Sequence, residues 1–318
     1  MDEWMIILGS VLIFLLFSIF ITSYICYLRI FYANRRGKEK EKTKITAPVV
    51  DGFAPFRPQI GGWMLEVEAM EGRELELISF DCLRLRGTFY EYKKGAPVEI
   101  MFHGYRGNGK RDLSGGVVRA FKQGRSALIV DHRASGRSEG RAVTFGVNES
   151  RDCLLWAELV AREIDSDAKV ILTGISMGAA TVLIAAGSEE LPSNVVAVIA
   201  DCGYTSAKDI IKNTMRDMKL PADMLYPFAR LGGKLFGDFD IDGVSPIESM
   251  KKCKVPVIFI HGDADSFVPF DMSRRNYEAC AAEKKKLVAI SGAAHGVAYP
   301  TDPEGYLSAL SEFFEGIL

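Results

Sequence analysis

The amino-acid sequence predicts an α/β fold in which a mostly parallel sheet carries helices on both faces, after one N-terminal apolar helix. Short apolar runs typical of buried strands recur along the chain, and segments with apolar residues at helical spacing separate them. Strands that alternate with helices indicate a parallel sheet, because parallel neighbours need a crossover connection. The composition, 48% hydrophobic and 25% charged, is sufficient for a sizeable core.

The first element is an apolar segment over residues 4–28 that contains no charged residue. As a helix it would rise about 37 Å, which is enough to cross a hydrocarbon core of about 30 Å with some tilt. A cleaved signal peptide is the alternative, but the leader Met-Asp-Glu is acidic and the apolar stretch is too long. The segment therefore predicts a single-pass helix in the cell membrane.

A basic linker is predicted over residues 29–61. Between Arg29 and Lys44 the sequence carries seven Lys or Arg residues and two Glu, and it continues with Pro and Gly without clear periodicity. Basic residues beside a span stay in the cytoplasm, so we expect a cytoplasmic globular part and a linker lying against anionic lipid. The opposite topology, with the span as an uncleaved export signal, stays open.

The globular part, residues 62–318, begins with two strands of alternating polarity and no helix between them, which predicts an antiparallel start. Buried strands and helices then alternate until a final helix at about Glu304 to Ile317. The predicted strands are ELELISF, CLRLRGTFYEY, PVEIMFH, RSALIVD, AKVILTGIS, NVVAVIAD, VPVIFIH and KLVAIS. In such sheets the working groups gather at the carboxyl ends of the strands.

Several classes of function find no support in the sequence. The formal net charge of −2 gives no reason to expect a nucleic-acid partner. The six cysteines have no Cys-x-x-Cys or metal-ligand spacing, which indicates free thiols in a reducing compartment. The segment GYRGNG is too short for a phosphate-binding loop. We expect neither a metal nor a cofactor, and the oligomeric state is not predicted.

The candidate nucleophile is Ser176, in the segment GISMG between a predicted strand and a helix. A serine on a sharp strand-to-helix turn exposes its hydroxyl, and small flanking residues permit the turn. His295 is the candidate base, because it stands in a loop of small residues after the last strand. Asp263 and Asp265 both follow the preceding strand. Asp263 falls early in the turn and could cap it, so Asp265 is favoured as the orienting acid.

Five motifs in order, HGYRGNGK, DHRASGRSEG, TGISMGAAT, DCGYTS and HGDADSFVP…GAAHG, resemble the α/β-hydrolase fold. The resemblance covers nearly all of residues 70–318 and is closest to bacterial serine hydrolases related to Bem46-like and ABHD13-like proteins. It implies that Ser176 is the nucleophile, His295 the general base and Asp265 its orienter. Histidines that lie at the ends of other strands are interpreted as scaffold: His103, His132 and His261.

The oxyanion hole needs two backbone N–H groups aimed at the developing charge. Met177 N–H is expected to be one of them, because it follows the nucleophile at a helix N-terminus. By similarity to the family, Tyr105 N–H in the HGYRG turn is expected to be the other.

A cap is predicted at about residues 205–245, where many relatives insert a lid. Four apolar side chains there are candidates for an acyl or alkyl pocket, since methionines adapt to irregular apolar ligands: Met215, Met218, Met224 and Tyr226. Plain packing of two helices on the sheet explains the same composition equally well, and that alternative stays open.

The sequence thus predicts a membrane-anchored serine hydrolase acting on small or lipid-like carboxylic esters or thioesters through an acyl-enzyme on Ser176. A serine peptidase of the prolyl-oligopeptidase type is one alternative, although this sequence has neither the aromatic residue after the serine nor the propeller domain usual there. A non-catalytic membrane scaffold on the same fold is another, although all three triad residues are present.

Overall fold

The computed structural model describes residues 3–33 and 51–318. The strands are β1 Arg73–Ile78, β2 Arg84–Tyr90, β3 Val98–Phe102, β4 Ser126–Asp131, β5 Val170–Ile175, β6 Val195–Asp201, β7 Val257–Gly262 and β8 Lys285–Ile290. The helices are α1 Glu3–Ile30, α2 Arg57–Glu68, α3 Gly109–Lys122, α4 Val147–Glu163, α5 Met177–Ala186, α6 Ala207–Asp217, α7 Ala222–Gly237, α8 Pro246–Met250, α9 Phe270–Ala279, α10 Ala298–Thr301 and α11 Pro303–Phe314. A 3₁₀ turn, Asp51–Phe56, precedes α2.

The strands described form one eight-stranded sheet in the order β1-β2-β4-β3-β5-β6-β7-β8. β2 pairs antiparallel with β1 and β4, and all other neighbours are parallel. Helices α4 and α5 cover one face, and α3 and α11 cover the other, so β3, β4 and β7 are buried at every residue. The predicted fold and its antiparallel start are confirmed.

The parallel strands bring several loops to one edge of the sheet. β5, β7 and β8 are parallel members of the sheet, and the loops after them carry Ser176, Asp265 and His295. Because the carboxyl ends of parallel strands meet at the same edge, residues far apart in the sequence become neighbours there.

An 18-residue stretch of helix α1 has a mean hydropathy of 2.8 and, within the described ranges, α1 is the one helix long and apolar enough to cross a membrane by length and composition. Its C-terminal part packs directly on α7, where the Tyr24 and Tyr27 rings lie 5.0 and 5.7 Å from the Phe236 ring. Beyond α1, Phe31 is fully buried, and Tyr32 forms a β-bridge with Ala142. The apolar helix is therefore joined to the domain by packing as well as by the chain.

The predicted linker boundary is wrong on its C-terminal side. Residues 51–61 form the 3₁₀ turn and the first part of α2, and Trp63 of this helix packs against Gly115 of α3. The Pro and Gly residues of this segment predicted a linker, but Pro58 fits the first turn of a helix, where its missing N–H needs no partner. The basic residues 34–50, which were expected to lie against lipid, are outside the described residues.

Candidate active site

Ser176 lies at the sharp turn between β5 and α5 with φ 56° and ψ −116°. The two flanking glycines are required by close backbone approach. A Cβ atom at Gly174 would lie 2.1 Å from the carbonyl oxygen of Gly178, and one at Gly178 would lie 2.0 Å from that of Phe102. A strained non-glycine residue held by its surroundings is typical of a functional site, and this turn is the elbow that the GISMG segment predicts.

The structure brings together the three side chains predicted from sequence. His295 Nε2 lies 2.9 Å from Ser176 Oγ, and His295 Nδ1 lies 2.6 Å from Asp265 Oδ2. Asp263 accepts the Gly292 N–H at 2.7 Å and so holds the turn. The arrangement can pass a proton from the serine hydroxyl to the imidazole while the carboxylate holds the imidazole orientation.

Asp265 is buried and all of its acceptor positions are used. Oδ1 accepts the backbone N–H groups of Phe267 and Val268 at 2.9 and 2.8 Å, while Oδ2 receives His295. Burial alone would raise the pKa of Asp265, but hydrogen bonds from His261 and His295 outweigh it and lower that pKa to about 2. The carboxyl group is therefore charged at neutral pH.

His261 is a residue whose contact with the site the sequence analysis missed. Its Nε2 lies 3.0 Å from Asp265 Oδ2 and 2.8 Å from the Val268 carbonyl oxygen, and its Nδ1 lies 2.7 Å from Ser273 Oγ. Since both neighbours of Nε2 are acceptors, Nε2 carries a proton and donates. Two histidines thus share one carboxylate oxygen. The available signal was the position of His261 at a strand end, four residues before Asp265.

The turn after β3 lies against the nucleophile. A Cβ atom at Gly104, the residue before Tyr105, would lie 3.5 Å from the Ser176 Cβ and 3.9 Å from its Oγ. Met177 is the first residue of α5, where the N–H groups have no intrahelical acceptor. The assignment of the Tyr105 and Met177 N–H groups to the oxyanion hole stays a prediction.

Two buried histidines hold that turn. The backbone N–H of His132 donates to His103 Nε2 at 3.1 Å, so His103 carries its proton on Nδ1 and donates it to the Gly104 carbonyl oxygen at 2.7 Å. Burial lowers the pKa of both imidazoles, that of His132 strongly, which keeps them neutral. Their contacts agree with the interpretation of both residues as scaffold.

The same turn also contacts α1. The Tyr105 hydroxyl donates to the Ile30 carbonyl oxygen at 2.5 Å, and Arg106 Nη2 donates to the Arg29 carbonyl oxygen at 2.8 Å. The last carbonyls of a helix have no intrahelical donor, so these bonds cap the C-terminus of α1. The turn beside Ser176 is thereby fixed to the N-terminal helix.

A cavity of about 370 Å³ opens beside Ser176 on the face of the sheet covered by α2 and α3. Apolar side chains form most of its wall: Phe53, Ile60, Trp63, Met101, Ile175 and Phe267. Its size is within the range of small-molecule sites, and its position suits the acyl group of an acyl-enzyme. The first helical residues of the domain, which the sequence analysis assigned to the linker, form part of this wall.

The prediction that the cap lines the pocket is wrong. Met215, Met218, Met224 and Tyr226 do not line the cavity. Met215 and Tyr226 are buried in a cluster with Tyr27 of α1, whereas Met218 and Met224 are exposed. The apolar character of Met215 and Tyr226 thus serves helix packing, which is the alternative that the sequence left open.

One group of three potential metal ligands occurs in the described part of the chain: Cys202, Asp265 and His295. Asp265 and His295 already hydrogen-bond each other and Ser176 lies on the far side of the imidazole. Burial raises the pKa of the Cys202 thiol well above its ordinary value, which disfavours the thiolate that a metal would need. The arrangement suits proton transfer better than metal binding.

Comparison with known proteins gives the family of this chain. The model of the prolyl oligopeptidase family matches residues 139–318, more than half of the chain. Protein bem46 of Schizosaccharomyces pombe is 24% identical over 253 residues, 78% of this chain and 77% of that protein. Protein YqkD of Bacillus subtilis is 29% identical over 195 residues, 61% of this chain and 63% of YqkD, so the match spans less than two thirds of that relative.

Among solved structures, the Pyrococcus furiosus esterase Pf2001 is similar with a TM-score of 0.64. It is 20% identical, and the match covers 79% of this chain and 94% of the esterase. At this identity the likeness shows the fold. The resemblance to Bem46-like α/β-hydrolases predicted from the motifs is confirmed. By the extent of the family match, this chain belongs to the prolyl oligopeptidase family and is a serine hydrolase with the α/β-hydrolase fold.

Proposed function

We propose that this protein is a membrane-anchored hydrolase of carboxylic esters or thioesters. The observation that carries the proposal is the continuous hydrogen-bonded chain from Ser176 Oγ through His295 to Asp265. In the proposed mechanism Ser176 Oγ attacks the acyl carbonyl carbon while His295 Nε2 takes the hydroxyl proton. The N–H groups of Tyr105 and Met177 stabilise the oxyanion. His295 gives its proton to the leaving oxygen or sulfur, and then activates water to release the acid.

An ester or thioester substrate is favoured over a peptide by the shape of the site. The cavity beside Ser176 is walled mainly by apolar side chains, which suits an acyl chain, and the similar Pyrococcus protein is an esterase. A peptidase is the second candidate, because the matching family is that of prolyl oligopeptidase.

The anchoring part of the proposal is based on α1. A cleaved signal peptide would also be apolar, but cleavage at the end of the helix would separate it from α7, against which Tyr24 and Tyr27 pack. An uncleaved helix is therefore favoured. We further propose that the domain faces the cytoplasm, because basic residues follow the span in the sequence. Protease added to sealed cells or protoplasts should leave such a domain intact, and digestion before permeabilisation would contradict this topology.

The proposed hydrolysis through Ser176 is tested with the full-length protein in detergent micelles. The wild-type protein and the Ser176→Ala and Ser188→Ala variants are labelled with a fluorophosphonate and assayed on an ester, a thioester and a peptide anilide. Ser188 is the matched control, because it lies in the turn after the helix that Ser176 precedes. We expect labelling and ester or thioester turnover in the wild type and Ser188→Ala only. Turnover of the anilide alone would favour the peptidase, and retained activity in Ser176→Ala would refute the mechanism.

A further inference from the structure

The cavity beside Ser176 has polar side chains in its wall that the acyl-transfer mechanism does not use. Arg119, Asp201 and Tyr299 line it and are 3%, 6% and 7% exposed. Within the described residues, Arg119 Nη1, Asp201 Oδ1 and the Tyr299 hydroxyl have no hydrogen-bond partner. Buried polar atoms in proteins are almost always paired. Three such atoms in the wall of one cavity therefore indicate a binding position for a polar group. We call Arg119, Asp201 and Tyr299 the polar triplet.

Hydrogen bonds from neighbouring side chains hold two members of the triplet in place. Arg119 Nη2 donates to Glu99 Oε2 at 2.5 Å, and Arg125 Nη1 donates to Glu99 Oε1 at 2.7 Å. The Tyr306 hydroxyl donates to Asp201 Oδ2 at 3.0 Å. Each of Arg119 and Asp201 thus has one side of its polar group engaged. Their other atoms, Nη1 and Oδ1, are left for a ligand.

The chemistry of the triplet selects a hydroxyl group. A hydroxyl has one donor hydrogen and two acceptor lone pairs. A hydroxyl that reached all three atoms would donate to Asp201 Oδ1 and accept from Arg119 Nη1 and from the Tyr299 hydroxyl, so each of them would gain a partner. A carboxylate would oppose the Asp201 oxygen, and a methyl group would leave the three atoms unpaired.

The protonation state of Asp201 does not change this selection. Burial raises the pKa of Asp201, and the hydrogen bond from Tyr306 acts in the opposite direction. A ligand hydroxyl can donate to the carboxylate or accept from the carboxylic acid, so it suits both forms.

The position of the triplet relative to the nucleophile sets the length of the substrate. Thr173 also lines the cavity, and its hydroxyl donates to the Glu99 oxygen that Arg119 binds. It lies three residues before Ser176 on β5, which at about 3.3 Å per residue is roughly 10 Å along the strand. Asp201 lies nearer to the nucleophile, because it pairs with Ile175 across β5 and β6 and its carbonyl oxygen accepts the Ser176 N–H at 2.8 Å. The triplet therefore begins beside Ile175, and its neighbour Thr173 marks a depth of roughly 10 Å along the strand.

We propose that the polar triplet recognises a hydroxyl group on the acyl chain, so that the enzyme prefers esters of hydroxy acids. The hydroxyl lies roughly 10 Å or less from the carbonyl carbon. This inference rests on the ester-hydrolase function proposed above, because the acyl group is placed by its bond to Ser176.

The test compares matched substrates on the full-length wild-type protein in detergent micelles. p-Nitrophenyl esters of ω-hydroxy acids of about three to ten carbons, which cover distances up to roughly 10 Å from the carbonyl carbon, are each paired with the ester in which methyl replaces hydroxyl. At one chain length we expect kcat/KM to be at least about ten-fold higher for the hydroxy ester, because the methyl isostere leaves buried polar groups unpaired. Hydrolysis of both series with no hydroxyl preference at any length would overturn the inference, and would indicate that water alone meets the triplet.

A variant pair links the preference to the triplet. Tyr299→Phe removes the hydroxyl but keeps a ring to stack on Trp63, whose ring lies 5.1 Å away. Tyr204→Phe is the control, since this buried hydroxyl donates to Phe145 and does not line the cavity. We expect the hydroxy-to-methyl ratio of kcat/KM to fall roughly five-fold in Tyr299→Phe and to stay unchanged in Tyr204→Phe. A ratio within one enzyme does not depend on the folded fraction, so partial misfolding cannot imitate the result.

The same assays distinguish an error about the polar triplet from an error about the ester-hydrolase function. An unchanged ratio in Tyr299→Phe, with ester turnover intact, would overturn the triplet only. Absence of ester and thioester turnover from a protein whose Ser176 still reacts with a fluorophosphonate would overturn the ester-hydrolase function, and the inference with it.

Discussion

Replacement of Asp265 by asparagine should disable the enzyme through a change in the imidazole tautomer. In the wild type, Oδ1 accepts two backbone N–H groups and Oδ2 accepts from His261 and His295. An asparagine must keep its carbonyl oxygen toward the two N–H groups, which places its amide nitrogen toward the histidines. That nitrogen donates, so His295 must accept at Nδ1 and carry its proton on Nε2. The base then faces Ser176 with a donor where it needs a lone pair.

The expected loss is about 10⁴-fold in kcat, as when an orienting carboxylate is lost from a serine triad, and equals about 5.5 kcal/mol of transition-state free energy. His261 adds to this cost, because its Nε2 proton would also meet the amide nitrogen. The measurement is kcat on a p-nitrophenyl ester at neutral pH. Circular dichroism establishes that the variant is folded.

Asp263→Asn is the matched control. The Asp263 side chain accepts the Gly292 N–H, and the carbonyl oxygen of asparagine can replace that acceptor. Its activity should stay within about three-fold of wild type, as is usual for changes away from buried networks. If Asp265→Asn kept a tenth of the wild-type kcat or more, or if Asp263→Asn were the more damaging change, the assignment of the orienting acid would be refuted.

Three further outcomes are expected. Gly178→Ala should lower the free energy of unfolding by about 3 kcal/mol or more, because its Cβ would overlap the Phe102 carbonyl oxygen; a wild-type urea midpoint would contradict the elbow geometry. Phe31→Ala should cost about 3–5 kcal/mol in the same measurement, whereas exposed Phe17→Ala should cost almost nothing, and equal effects would argue against docking of the α1 end. Asp265, whose pKa is lowered to about 2 in the folded protein, contributes stability that is present above its unfolded pKa of about 4 and is lost as the pH falls to 2. That loss should be about 2 kcal/mol and absent from Asp265→Asn; identical acid titrations of the two proteins would refute it.

The fold and the position of the catalytic residues could be predicted from sequence, because the signals for both lie in short segments of the chain. Buried parallel strands are continuous apolar runs, and the topology brings their carboxyl ends together without further information. The GISMG segment, Asp265 and His295 all follow such runs, so their convergence followed from the order of the elements. The structure then placed Asp265, and not Asp263, beside His295.

The pocket could not be predicted in the same way, because its walls come from packing between distant segments. Phe53, Ile60 and Trp63 precede the first strand, and nothing in their local sequence says that they cover the sheet beside Ser176. The methionines at 215–224 have the composition of a ligand pocket, but Met215 is buried in the cluster with α1 and the other two are exposed. A contact between two buried residues, such as His261 and Asp265, likewise depends on side-chain direction rather than on spacing.

The bonds from Tyr105 and Arg106 to the end of α1 have a consequence for how substrates reach the enzyme. If α1 crosses a bilayer as proposed, the catalytic serine cannot move freely relative to the membrane, because the turn beside it is hydrogen-bonded to the membrane helix. The entrance to the cavity would then stay at a fixed height and a fixed tilt above the lipid. Molecules lying at that depth in the headgroup layer would meet the nucleophile far more often than those diffusing freely in water. Substrates would thus be selected first by their depth in the headgroup layer and only then by their fit to the cavity.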